Sequence, residues 1–171
     1  MDLKEELLAY DGKRKELLEK IASCLVFSSD ETDTLCSLAR GASPIFQAGS
    51  TWLLKRGLEE GQLLTTKQTK ALLTLLSQEI HWEAQLQILQ MLPYLKFGET
   101  SCNRLFVTLK VLLNSSNKFV KAWTFNGFYI LADRYPEYRE EVLPLLQKGL
   151  QEESGSVKAR IRNAVKRSSW A

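Results

Sequence analysis

Proline and glycine are scarce in this chain, four and nine among 171 residues. A many-stranded β-fold needs a turn roughly every 8–12 residues, and so few breakers leave too little punctuation for one. Histidine occurs once, as His81, so a catalytic triad or multi-histidine metal site would have to be built around that residue. It stands beside Trp82 where a helix should start, a place that suits a capping or surface histidine better than a ligand. Cys24, Cys36 and Cys102 are odd in number, widely spaced and free of any CxxC pair. They read as reduced thiols of a cytoplasmic protein, used as small core residues. No apolar run approaches the ~18 residues that span a bilayer. The opening Met1-Asp2-Leu3-Lys4-Glu5-Glu6 is charged where a signal peptide would be apolar. Neither GxxxxGK[ST] nor GxGxxG occurs. The adjacent carboxylates Glu5-Glu6, Glu59-Glu60, Glu140-Glu141 and Glu152-Glu153 would point apart on helices, as solvated faces rather than acid–base dyads. No cofactor, metal or hydrolytic turnover is expected.

What the chain does have is leucine in register. A composition of 44% hydrophobic and 25% charged residues is that of a folded protein, which makes periodicity meaningful. Phe46-Gln47-Ala48, Trp82-Glu83-Ala84, Val120-Lys121-Ala122 and Val157-Lys158-Ala159 share one pattern at spacings of 36, 38 and 37 residues. Leu35, Leu72, Leu109 and Leu146 form a column with a 37-residue interval, and Ala39, Leu76, Leu113 and Leu150 form another. Leu38, Leu75 and Leu112 make a further column that fails at Gly149. A period of this length suits one helical hairpin, a unit that cannot bury its apolar face alone.

The spacing inside each period is helical. Leu72, Leu73, Leu75 and Leu76 make an i, i+3, i+4 stripe, as do Leu105, Leu109, Leu112 and Leu113, and then Val142, Leu143, Leu145, Leu146 and Leu150. Second helices should start after the polar breaks at Ser43-Pro44, Gln78-Glu79, Asn114–Asn117 and Glu153–Ser156, with Ser43, Ser116, Asn117 and Ser156 as capping residues. Pro93 and Pro136 mark helix ends. The expected organisation is a helical cap over 1–28, broken near Gly12, then hairpins over 29–61, 62–97, 98–136 and 137–171 within one domain.

These hairpins resemble HEAT and HEAT-like repeats, above all at Asn117-Lys118-Phe119-Val120-Lys121-Ala122-Trp123, over roughly residues 30 to 168. Phe46-Gln47 and Trp82-Glu83 depart from the family's Val-Arg or Val-Lys, and Ser43, Glu79, Asn117 and Ser154 replace its turn aspartate. The resemblance implies an all-α, right-handed superhelical α-solenoid that binds partners along a concave face lined by second helices. In that arrangement Trp82 is core by its column. Trp52, Lys55, Gln87, Gln90, Lys121 and Asn126 supply a concave polar–aromatic patch, and Trp123 either overpacks or reaches the surface.

The last helix is the other candidate site. Residues 154–171 carry Lys158, Arg160, Arg162, Lys166 and Arg167 and no acid, a local charge of +5 in a chain of net +3. Lys158, Arg162 and Lys166 share one helical face at i, i+4 spacing. Such a stripe meets phosphates or an acidic surface, or it is a solubilising cap. The expected partner surface therefore comprises Lys121, Trp123, Asn126, Lys158, Arg160, Arg162, Lys166 and Arg167. A non-catalytic adaptor with a protein partner is the first reading. The alternative is nucleic-acid binding, because HEAT-like alkylpurine DNA glycosylases are similar in architecture and use a basic, aromatic groove. Their tryptophan–aspartate pair has no clear counterpart here. The nearest acid is Asp133, ten residues after Trp123.

Overall fold

The computed structural model describes residues 2–166 and 168–171. It is 73% helical, and no described residue lies in a strand. Nor is any helix among the described residues long and apolar enough to cross a membrane. Among the described residues ten α-helices pack into two compact units, Met1–Phe97 and Gly98–Ala171.

The first unit holds α1 (Leu3–Leu8), α2 (Lys15–Cys24), α3 (Ser29–Ala39), α4 (Pro44–Glu59), α5 (Thr66–Leu76) and α6 (Trp82–Met91). Between α1 and α2 the Asp11 carboxylate accepts the N–H groups of Lys13 (3.0 Å) and Arg14 (2.9 Å), and Gly12 takes a φ of +78° that suits its missing Cβ. Both short helices pack on α4, where a Cβ at Gly49 would stand 2.8 Å from Leu7. Reciprocal capping boxes open α3 (Ser28 with Glu31) and α5 (Thr65 with Gln68). Ser43 caps α4 ahead of Pro44 by accepting the Phe46 N–H at 3.4 Å. That helix closes at Gly61 (φ +94°), with the Gln62 N–H donating to the Gly57 carbonyl (2.9 Å) and the Gly61 N–H to Leu58 (3.1 Å). This is the Schellman arrangement.

Within this unit α3 packs on α4, α5 on α6, α3 on α5 and α4 on α6. First helices meet first helices and second helices meet second. Polar bonds stitch both seams. Gln68 Nε2 donates to Asp33 Oδ1 (2.7 Å) between α5 and α3, and the Thr51 hydroxyl donates to Gln87 Oε1 (2.6 Å) between α4 and α6. Gln47 accepts the His81 backbone N–H at 2.8 Å and donates to the Gly41 carbonyl at 2.8 Å. Gln87 and Trp52 are therefore interior and are not part of an exposed patch.

The second unit holds α7 (Glu99–Leu112), α8 (Lys118–Arg134), a 3₁₀ turn (Pro136–Tyr138), α9 (Arg139–Glu152) and α10 (Gly155–Val165). Asn117, rather than Ser116, caps α8, accepting from the N–H groups of Phe119 (2.9 Å) and Val120 (3.2 Å). Ser154, rather than Ser156, occupies the cap position of α10. Helix α8 lies at the centre, packed on α7, α9 and most extensively α10.

The column Leu35, Leu72, Leu109, Leu146 is buried throughout. Where the neighbouring column fails, Gly149 faces Phe125, and a Cβ there would stand 2.7 Å from the Phe125 ring and from Ile161. The ring fills the space a leucine would have taken. Trp82 corrects the expected register. It is 39% exposed, because His81 is the cap residue of α6 and Trp82 the first helical position, whereas Phe46, Val120 and Val157 are each three after their caps. Ala84, fully buried, takes the equivalent place in α6.

Candidate interaction surface on the second unit

Seven of the eight candidate residues fall on α8, on α10 and at Lys166 just beyond it; Arg167 lies outside the described residues. The structure brings α8 and α10 together but ties several of the cations down. Lys121 Nζ pairs with Glu153 at 3.5 Å. The Arg160 guanidinium lies over the half-buried Trp123 ring, 4.1 Å from its centroid, so this tryptophan reaches the surface beneath a cation. Lys158 Nζ donates to the Gln151 carbonyl at 2.9 Å, neutralising the negative end of α9. Arg162 and Lys166 are exposed, and Asn126 is half-buried. The Lys158 ammonium is thus engaged by α9, whereas Arg162 and Lys166 are exposed.

Beside Lys121 a cleft of about 300 Å³ opens between the end of α7, the start of α8 and the end of α9. Leu113, Phe125 and Leu145 give it an apolar floor, and Lys121, Lys148 and Glu153 contribute a rim of both signs. Gly149 also lines the cleft, beside Phe125.

A second constellation involves residues that sequence spacing did not bring together. After α10 the Ser168 hydroxyl accepts the N–H groups of Trp170 (3.1 Å) and Ala171 (2.9 Å), turning the chain back. Trp170 stacks on Tyr129 with 5.6 Å between centroids and 7° between planes. Its Nε1–H donates to Asp133 Oδ1 at 3.0 Å, and Arg139 lies over its ring at 5.2 Å. Burial first, and then the charge of Asp133, raises the Tyr129 phenol above its ordinary pKa. Asp133 thus pairs with Trp170 and not with Trp123. The one available signal was their separation of 37 residues, one repeat length.

His81 occupies the cap position of α6, but its side chain makes no capping bond. Among the described residues no group of three or more His, Cys, Asp or Glu side chains is placed to hold a metal ion. Burial pushes the Cys36 thiol up to about 11, which keeps it protonated and unreactive at neutral pH. No protein-family model matches the chain, and neither the curated proteins nor the solved structures contain a match to it.

Proposed function

We propose that this chain is a non-catalytic interaction module acting in the cytoplasm, whose helix pairs stack within each unit in the manner of HEAT-like hairpins. Support for the stacking comes from the polar bonds between elements. Four of these join residues 34 to 36 positions apart, so that equivalent places in successive hairpins touch. Three free thiols suit a reducing compartment. The observation that carries the binding reading is the cleft beside Lys121. An apolar floor at Phe125 inside a rim of mixed charge suits a protein segment that seats one apolar anchor and satisfies charges of both signs around it.

Selection of displayed peptides on the intact chain, followed by titration of the enriched peptides, tests this. Binding should weaken at least tenfold in Lys121→Glu and in Leu145→Arg, which alter rim and floor respectively. Unchanged affinity in both variants would remove the cleft as the site. Nucleic acid is the alternative ligand, favoured by the charge of α10, but two of that helix's cations, Lys158 and Arg160, are already held within the protein.

A further inference from the structure

The Trp170 contacts have the form of a receptor and a ligand rather than of a core. The receptor is built on regular elements. Tyr129 and Asp133 are one turn apart on α8, and Arg139 opens α9 with its Nε donating to the Ala132 carbonyl at 3.1 Å, a bond that fixes the guanidinium without help from Trp170. The ligand is a short turn whose side chain is half-buried, resting against an exposed Asp133. Ordering such a segment costs backbone and side-chain entropy that offsets much of what one stack, one charge-assisted hydrogen bond and one cation–π contact contribute.

The chemistry of the slot is selective. A flat electron-rich ring satisfies Tyr129 and Arg139, and a ring N–H at its edge satisfies the carboxylate of Asp133. Phenylalanine offers no donor. Indole meets all three requirements. The Ser168 hydroxyl adds the turn that presents it.

We infer that the Tyr129–Asp133–Arg139 slot is a tryptophan-reading docking site for a partner polypeptide, and that Trp170 occupies it in cis as a displaceable competitor. The partner segment carries a tryptophan two residues after a serine or threonine that makes the same turn. This site shares no residue with the cleft beside Lys121, so each stands or falls separately.

The test uses the full chain with Trp170→Ala, labelled with ¹⁵N and titrated with the acetylated, amidated tetrapeptide Ser-Ser-Trp-Ala and with its phenylalanine counterpart. Saturating shifts at the amides of Tyr129, Asp133 and Arg139 are expected. Affinity should be weaker on the wild-type chain by the factor 1 + Ceff/Kd, where the tethered Trp170 competes at an effective concentration Ceff of about millimolar order: about tenfold for a peptide Kd of ~0.1 mM and about twofold for one of ~1 mM. The phenylalanine peptide should bind more weakly, and adding Asp133→Ala should cost about tenfold. Equal affinity for the wild type and Trp170→Ala, or no shift at the slot, would overturn the inference. A measurement on the wild type stands apart from any folding defect of the variant. Its Trp170 indole N–H resonance should move towards the position of a free indole as the tryptophan peptide is added, and a resonance that stays fixed counts against displacement.

Discussion

Gly149 shows how one residue decides local packing. Its Cα faces the Phe125 ring and Ile161 so closely that an added Cβ would stand 2.7 Å from both, and both are buried. Gly149→Ala should therefore destabilise the chain by about 1–3 kcal/mol, the range for overpacking a filled core, measured as a lower urea midpoint. In the sequence Gly149 interrupts a leucine column, and that interruption is legible. What fills the gap is not, because Phe125 lies on another helix and no local pattern ties the two. Trp82 failed for the opposite reason: its column was legible, but a two-residue shift in the helix start turned it outward. At Cys36 the raised thiol means that deprotonation favours the unfolded chain. Its contribution to stability should fall as pH rises from the ordinary thiol range near ~8.5 towards 11. At neutral pH, maleimide should label exposed Cys24 and spare Cys36 until the protein is unfolded.

At the scale of elements, two helix starts were read correctly, while those of α6 and α10 were misplaced by one or two residues. Ser43-Pro44 and Asn117 cap α4 and α8 as their chemistry demands, since a short polar side chain accepts N–H groups that the first turn leaves unpaired. Asn117→Ala should cost about 1 kcal/mol, read from chemical denaturation; no measurable loss would mean that Ser115 or Ser116 takes over the cap. Ser28 with Glu31 and Thr65 with Gln68 are written in the same code, as S/T-x-x-E/Q. The core face was readable too, because Leu109 sits in a 37-residue column and is fully buried. Leu109→Ala should cost about 2–5 kcal/mol, and a loss below ~0.5 kcal/mol would contradict that burial. The seams between helices were not readable. Thr51 with Gln87 and Gln68 with Asp33 look like surface polar residues until the helices are placed side by side.

For the molecule as a whole, charge was readable as a total and misleading as a surface. Residues 154–171 carry five cations, yet a side chain's availability depends on what its neighbours do with it. Lys158 caps α9, Arg160 covers Trp123, and Lys121 on α8 pairs with Glu153. Arg162 and Lys166 are left exposed. This sets a number for the nucleic-acid alternative. Counterion release gives a slope of about −0.9 per neutralised phosphate in a plot of log affinity against log salt for duplex DNA, so Arg162 and Lys166 alone imply a slope near −2, and Arg167, which lies outside the described residues, would bring it to about −2.7. The full stripe, with Lys158, Arg160 and Arg167 engaged as well, implies about −4.5. Anisotropy of a labelled duplex across a potassium chloride series separates the two. A slope between about −2 and −3 is expected if DNA binds at all. One steeper than about −4 would require Lys158 to leave the Gln151 carbonyl and Arg160 to leave Trp123. Such a slope would make the last helix a phosphate-binding surface held closed by its own neighbours.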